Sequence, residues 1–139
     1  MTDGLNDLTT LTDSLDNTTS ASYDGDHQVT GVQTPEGETA AFTYDSFGNI
    51  LKTKTGTTPF IESHAGYTGD GNFIQTMTDP LGKVISCDYN TDNGLLKSLT
   101  DAMGKTTDIY DAVTDQLKGV SKLVDGQTVA WELLPYNFN

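Results

Sequence analysis

The chain contains no arginine, and all seven of its basic residues are lysines. It therefore lacks the planar guanidinium group that binds phosphate through two parallel hydrogen bonds. Its formal net charge of −13 also opposes the phosphates of nucleic acids and the surfaces of anionic membranes. The composition argues against nucleic acids and membranes as partners.

Cysteine, glutamate and long apolar runs are also scarce. A single cysteine, Cys87, excludes an internal disulfide framework. No apolar run is long enough for a transmembrane helix, and Met1–Asp7 has no signal-peptide pattern. Only four of the 20 acidic residues are glutamate. Because aspartate suits turns and glutamate suits helices, this imbalance indicates a chain rich in turns. We interpret the chain as a segment of a larger protein.

Aromatic residues recur at a nearly constant spacing. The steps between them are 21, 23, 22, 21 and 21 residues, and the residues are Tyr23, Tyr44, Tyr67, Tyr89, Tyr110 and Trp131. A fixed period of this length is typical of repeat architectures. The sequence therefore predicts a single array over residues 1–139. It would hold about six repeats of 21–23 residues and be incomplete at both ends.

Each repeat reads as two short strands and two turns. In one repeat the strands are Val84–Tyr89 and Leu95–Thr100, and the turns are 78–83, 90–94 and 101–105. The predicted fold class is all-β, with consecutive antiparallel β-hairpins that form a repeat ribbon. We expect the segment from Gly4 to Tyr23 to continue this pattern, although a disordered acidic leader is the alternative. We also expect strand rather than helix over 115–124. The four prolines are expected in turns or at strand ends, and they are Pro35, Pro59, Pro80 and Pro135.

Strand alternation places the tyrosines on one face. Ile85, Cys87 and Tyr89 share one side of their strand, and the three residues between and before them share the other. The tyrosines should form a cross-strand ladder. Such a ladder either packs the repeats together or binds sugar rings, and packing is the favoured interpretation. The candidate binding residues are Tyr23, Tyr44, Tyr67, Tyr89, Tyr110 and Trp131.

No residue pattern predicts catalysis, a metal or a cofactor. His27 and His64 are far apart, and neither has a second ligand at metal-binding spacing. Cys87 is expected to be a small buried residue of the tyrosine face rather than a nucleophile paired with a histidine. The acidic turns 24–26 and 88–92 offer oxygen ligands for calcium but lack the glycine and acidic residue of an EF-hand loop. The chain is predicted not to be an enzyme.

The pattern Tyr-Asp-x-x-Gly-Asn followed by Thr-Asp-x-x-Gly-Lys resembles the YD repeats, also called RHS repeats. These occur in Rhs proteins, the C component of insecticidal toxin complexes, wall-associated proteins and teneurins. The matching residues are Tyr44, Asp45, Gly48, Asn49, Tyr67, Gly71, Thr78, Asp79, Gly82, Lys83, Tyr89, Gly94, Thr100, Asp101, Gly104, Lys105, Tyr110 and Asp111. The resemblance implies a hairpin ribbon, coiled into a hollow shell in larger members, that acts as a secreted or cell-surface scaffold.

One match within this family pattern concerns catalysis. Asp79-Pro80-Leu81-Gly82 fits the Asp-Pro-x-Gly motif at which toxin-enclosing members cut themselves. The residues expected after that motif are missing, and Asp79 lies inside the repeat array, where a turn needs the same residues. Asp79 is therefore predicted to be structural.

Three hypotheses for function follow. The first is a non-catalytic scaffold segment of a larger protein that assembles with its parent or with copies of itself through open strand edges. The alternating apolar tail, Glu132–Asn139, would contribute to such an edge. The second is a glycan-binding or adhesion module that uses the tyrosine ladder. The third is part of a shell that encloses a toxin.

Overall fold

The computed structural model describes residues 1–110, 114–124 and 127–132. All regular structure in these residues is β-strand, so the predicted all-β fold is confirmed. The strands are β1 (Thr10–Thr12), β2 (Thr18–Tyr23), β3 (Val29–Gln33), β4 (Thr39–Tyr44), β5 (Ile50–Thr55), β6 (Ile61–Tyr67), β7 (Ile74–Thr78), β8 (Val84–Tyr89), β9 (Leu96–Asp101), β10 (Gly104–Tyr110), β11 (Leu117–Val124) and β12 (Gln127–Glu132).

The chain divides into two compact units, Met1–Ala65 and Gly66–Asn139. In the first unit, β1 to β6 pair antiparallel in chain order. In the second unit, β7 to β12 do the same. The prediction of consecutive antiparallel hairpins is confirmed. A single array over all 139 residues stays a prediction.

The segment before Tyr23 is ordered, as the repeat pattern predicts. It contains β1 and an isolated antiparallel bridge between Thr2 and Leu8. The backbone of Met1 also pairs with Thr9 and Thr10, since the Thr9 N–H donates to the Met1 carbonyl at 2.9 Å. The start of the chain thus begins a hairpin of the same kind as those that follow.

Strand bounds agree with the sequence in most of the second unit. Strand β8 matches the predicted bounds, and residues 117–124 are strand rather than helix. The turn predicted over 101–105 is shorter, because Gly104 already pairs with Asp101 and only two residues lie between them. The tail after Glu132, with Pro135, and residues 125–126 lie outside the described residues.

One five-residue turn recurs six times in the described part of the chain. Its first residue donates its N–H to the carbonyl of the fifth, and the N–H of its fourth donates to the carbonyl of the first. The six turns are 3–7, 13–17, 24–28, 34–38, 45–49 and 79–83. This is a type I turn followed by a left-handed residue, a common hairpin connection. The same turn therefore serves both ends of the strands.

An aspartate begins five of these six turns and closes each from the side. The Asp79 carboxylate accepts the N–H groups of Leu81 at 2.8 Å and Lys83 at 2.9 Å. Asp45 binds Phe47 and Asn49 in the same way. This side-chain bond makes aspartate the natural first residue of the turn. The geometry gives Asp79 the structural role that the sequence predicts.

The fourth turn residue has a positive φ in every copy. It is glycine in three turns, for example Gly82 at 76°, but Asn6, Asp16 and His27 occupy it at 68°, 65° and 64°. Left-handed backbone favours glycine, and asparagine and aspartate are the usual substitutes. Sequence reasoning that looks for glycine alone misses the first turns of the chain for this reason.

Burial is shallow throughout. Among the described side chains no hydrophobic residue is buried, and Ser98 is the buried polar residue at 4% exposure. The tyrosine face is half-buried, since Ile85, Cys87 and Tyr89 are shielded while the residues between them are exposed. A sheet without a buried hydrophobic side chain among its described residues gains little from hydrophobic burial. In the described residues no helix is long and apolar enough to cross a membrane.

Candidate functional site

The tyrosines lie opposite a second row of apolar residues. Tyr23 pairs with Val29 and Tyr44 with Ile50. Tyr89 and Tyr110 pair likewise with leucines at 96 and 117. Each tyrosine therefore shares its face with an aliphatic side chain of the return strand. The sequence signal for this row is an apolar residue directly after each Tyr-Asp turn.

A β-bulge accompanies each of these four pairs. The register passes from Ser22 opposite Gly31 to Tyr23 opposite Val29, so it skips Thr30. The same shift occurs at Thr43/Tyr44, Asp88/Tyr89 and Ile109/Tyr110. A bulge re-aims side chains and increases the local twist of a strand. Because the bulge recurs at all four tyrosines, it is a regular feature of these hairpins.

Two tyrosine hydroxyls bind the main chain of the preceding hairpin. Tyr44 donates to the carbonyl of Val29 at 2.7 Å, and Tyr23 donates to the carbonyl of Leu8 at 3.1 Å. Both acceptors lie fifteen residues earlier. The repeats that contain Tyr23 and Tyr44 are thus each held to the preceding hairpin by the same kind of bond. These hydroxyls already have a partner inside the protein, which leaves them less suited to a sugar ligand.

Tyr89 instead packs against a ring. Its centroid lies 4.9 Å from that of Phe73, with an angle of 25° between the planes. Burial, with a smaller contribution from Cys87, raises the pKa of the Tyr89 hydroxyl. Burial, with Asp108 beside it, also raises the pKa of Tyr110. Raised values mean that both hydroxyls stay protonated at physiological pH.

Trp131 does not lie in the tyrosine row. It pairs with Val120 on β11 and its side chain is 56% exposed. In the first unit the corresponding pair is Val32 with Ala40, which lies four residues before Tyr44. The 21-residue step therefore brings Trp131 to the register of Ala40. Tyr67 is the last residue of β6.

Turns at the same end of neighbouring hairpins also contact one another through polar side chains. His27 Nδ1 lies 2.9 Å from both carboxylate oxygens of Asp7, which joins turn 24–28 to turn 3–7. In the second unit the Asn93 amide donates to Asp115 at 3.1 Å. The hydrogen bond that His27 donates to the Asp7 carboxylate, supported by the charge of Asp7, raises the pKa of His27. His27 therefore forms a contact between neighbouring repeats.

A small charged cluster lies on β5 and β6. Glu62 binds Lys52 at 3.1 Å and His64 at 2.9 Å. The hydrogen bond from Lys52 is the main cause of the lowered pKa of Glu62. The Lys54 ammonium lies 3.5 Å from the centre of the Phe60 ring. These are exposed contacts of modest energy, typical of a protein surface.

The acidic turns are occupied by their own backbone. The Asp24 carboxylate accepts the N–H groups of Asp26 and Gln28. Among the described residues no three His, Cys, Asp or Glu side chains form a group that could hold a metal ion. Calcium binding at these turns stays a hypothesis without a ligand cage in this structure. Cys87 was predicted to be buried, but it is only half-buried, because the sheet shields its face incompletely, and its thiol is not part of a disulfide.

Comparison with known proteins identifies the repeat. The family described as RHS Repeat matches residues 23–58. No curated protein matches the chain in sequence.

The fold is similar to part of several solved TcdB2-TccC3 and Tc holotoxin structures. A TcdB2-TccC3-Cdc42 crystal structure matches with a TM-score of 0.60 at 12% identity, over 78% of this chain and 6% of that one. A TcdB2-TccC3 structure without the hypervariable C-terminal region matches with a TM-score of 0.60 at 13% identity, over 76% of this chain and 5% of that one. The Photorhabdus luminescens Tc holotoxin pore, with a substitution in TccC3, matches with a TM-score of 0.59 at 13% identity, over 76% of this chain and 5% of that one. At this identity the likeness shows the fold, and the chain spans about a twentieth of those proteins.

Proposed function

Because residues 23–58 are an RHS repeat, we propose that this chain is a non-catalytic scaffold segment of a larger RHS-repeat protein. The observation that carries the proposal is the bond of Tyr44 to Val29, repeated by Tyr23 and Leu8. In these two repeats, the tyrosine that marks the repeat joins one hairpin to the next. A repeat built this way supplies length and shape rather than chemistry.

The shallow burial supports a segment that works in company. With no buried hydrophobic side chain in the described residues, the sheet has a half-covered apolar face. Repeat arrays obtain their stability from contacts between neighbouring units. We expect the chain to associate with further parts of its parent or with copies of itself, and its location to be the cell surface or the exterior.

A toxin-enclosing shell is the second candidate, because the structures that share the fold are toxin complexes. In this case the chain would be one stretch of the wall. The reading frame of the parent protein tests it, and a variable toxic domain beyond residue 139 is the expected result. A parent with no such domain would remove the toxin role and leave the scaffold role untouched.

Glycan binding by the tyrosine ladder is the least supported role. The engaged hydroxyls of Tyr23 and Tyr44 and the stacked ring of Tyr89 favour packing. A glycan array of the folded chain, with a Tyr67→Ala variant as comparison, checks this directly.

Deletion by whole repeats tests the scaffold proposal. Removing residues 24–44 joins Tyr23 to Asp45 and restores the Tyr-Asp junction, so the shortened chain should keep its β-sheet circular dichroism per residue. Removing residues 24–34 deletes half a repeat, reverses the following strands and should abolish hydrogen-exchange protection around the junction. Equal loss of structure in both variants would contradict a modular scaffold.

A further inference from the structure

We propose that Asn93 is a site of spontaneous deamidation, and that the product opens a contact between two neighbouring turns of the second unit. Asn93 is the only asparagine in the sequence that a glycine follows. Its side chain is exposed in turn 90–95, which connects β8 to β9. Glycine has no Cβ to shield its backbone nitrogen, and in this reaction that nitrogen is the nucleophile. The site does not depend on the scaffold role proposed above.

The reaction replaces the side-chain amide by a carboxylate and releases ammonia. The backbone nitrogen of Gly94 forms a bond to Cγ of Asn93 and gives up its proton, while the C–N bond of the side-chain amide breaks. The side-chain nitrogen takes up a proton through the solvent and leaves as ammonia, so a five-membered succinimide ring results. Water then adds to one of the two ring carbonyls and opens the ring to aspartate or isoaspartate. No oxidant or reductant is needed.

Hydrogen bonds of the turn act on both reacting groups. The Leu95 N–H donates to Asn93 Oδ1 at 3.2 Å, so it can stabilise the oxyanion that forms when Cγ is attacked. The Gly94 N–H donates to the Asn90 carbonyl at 2.7 Å, and this bond has to open first. The net worth of one backbone hydrogen bond slows such a step by about tenfold at most. The reaction therefore proceeds from a briefly opened turn.

The fold requires both residues of the labile pair. Gly94 has a φ of 74°, and a Cβ there would lie 3.2 Å from the ring of Phe73, which stacks on Tyr89. Backbone and packing therefore both favour glycine at this position. The Asn93 amide donates to Asp115 at 3.1 Å, which links turn 90–95 to the connection between β10 and β11. The pair that forms this contact is also the pair that can deamidate.

Deamidation turns this contact into a repulsion. The amide of Asn93 is the donor and the Asp115 carboxylate is the acceptor. After the reaction both groups are carboxylates, so neither can donate a hydrogen bond and the two charges repel. In isoaspartate the backbone is also longer by one methylene group. The corresponding contact of the first unit joins His27 to Asp7, and histidine has no amide to lose. The second unit should therefore loosen at this contact with time.

Timed incubation of the full chain in neutral buffer tests the modification. Digestion after lysine yields the peptide 84–97, which carries Asn93 and Asn90 together. Asn90 is a matched control, because its Oδ1 likewise accepts an N–H at 3.2 Å, from Asp92, but a β-branched threonine follows it. Mass spectrometry should show Asn93 converting at least about tenfold faster, since glycine leaves the attacking nitrogen open and threonine shields it. Equal rates at the two asparagines would overturn the site.

Hydrogen exchange tests the structural consequence. Asn93→Asp copies the aspartate product, and it should lower the protection factors of amides in turn 90–95 and near Asp115 by about threefold or more. Asn90→Asp adds the same charge to the same turn and should have little effect. Asn93→Asp/Asp115→Asn exchanges donor and acceptor, and asparagine suits the φ of 56° at position 115, so protection should return.

Three results speak against the opened contact. They are unchanged protection in Asn93→Asp, an equal loss in Asn90→Asp, and no recovery in Asn93→Asp/Asp115→Asn. The incubated parent chain provides a second measurement, because its protection in the same two segments should decrease in step with the conversion of Asn93. Conversion without that decrease would leave a chemical change with no structural effect, which contradicts the proposal.

Discussion

The Tyr44 hydroxyl donates to the main-chain carbonyl of Val29, 2.7 Å away and one hairpin earlier. The bond is part-buried, so its loss leaves a carbonyl without its partner. We expect Tyr44→Phe to lower the free energy of unfolding by about 1 kcal/mol. Urea denaturation measures this change. Tyr23→Phe is the comparison, since its bond is longer and exposed, and it should cost less. Equal stability of Tyr44→Phe and the parent chain would contradict the proposed role of the tyrosine.

Gly82 isolates the cost of left-handed backbone. Its φ is 76°, and a Cβ added there would meet nothing within 4 Å. Gly82→Ala should therefore destabilise the chain by about 1–2 kcal/mol through the backbone alone. Gly25→Ala is the matched control, since that position is equally open and its φ is not in the left-handed region. A thermal melt in which both variants behave alike would show that the turn is not fixed in this conformation.

Thr34 is the exception among the six turns, and it offers a stabilising substitution. It takes the place of the aspartate, and its hydroxyl is buried without a hydrogen-bond partner. Thr34→Asp should supply the acceptor that Asp79 gives to its own Asp-Pro turn. We expect a gain of about 0.5–1 kcal/mol at neutral pH. Thr34→Asn provides the same acceptor without charge, so it shows how much the nearby Glu36 and Glu38 offset the gain.

The turn aspartates predict acid sensitivity. Hydrogen bonds from the Asn17 side chain and backbone lower the pKa of Asp13, and those from the Thr68 hydroxyl and the Asn72 backbone lower that of Asp70. A folded-state pKa below the ordinary 3.8 means that the contribution to stability is complete above pH 3.8. It is lost as pH falls through the lower folded value. Melting temperature measured downward from pH 5 should decrease, and Asp13→Asn should flatten that decrease.

The stability that His27 contributes has the opposite dependence on pH. The Asp7 hydrogen bond raises its pKa above 6.5, so its contribution is complete below pH 6.5 and is lost as pH rises through the folded value. The protection factors of the amides of the first hairpin, corrected for the intrinsic rise of amide exchange with pH, should therefore decrease above neutral pH. His27→Gln should remove this pH dependence, and Asp7→Asn should do the same. An unchanged profile in both variants would show that the contact does not hold turn 3–7.

Much of this fold can be predicted from the period of the tyrosines and from the Asp-x-x-Gly turns. Strand β8 has the predicted bounds, and its shielded face is the one that carries Tyr89. The loop 102–103 was harder to foresee, because the 21-residue step from Tyr89 to Tyr110 hides it. This loop has two residues, whereas the corresponding turn of the repeat from Tyr23 to Tyr44 has five. Turn 90–95, strand β9 and strand β10 are each one residue longer than their counterparts in that repeat, so the step of 21 residues is unchanged.

The candidate site was less predictable than the fold. Periodicity finds the tyrosines, but the carbonyl that a hydroxyl binds depends on hairpin register. Trp131 fits the numerical period and still falls at the register of Ala40, because the path from Tyr110 through β11 to Trp131 is four residues longer than the path from Tyr23 through β3 to Ala40. The left-handed Asn6, Asp16 and His27 likewise carry no glycine to mark them.

The five-residue turn has a consequence for how such a chain changes over generations. The backbone hydrogen bonds and the aspartate hydrogen bonds that close the turn all lie within its five residues. The conformation of the turn therefore does not depend on which hairpins it connects. A gene segment that encodes one hairpin pair can be duplicated or lost without creating a new kind of junction. The length of the array is therefore free to drift in steps of one repeat, while the chemistry of every joint stays the same.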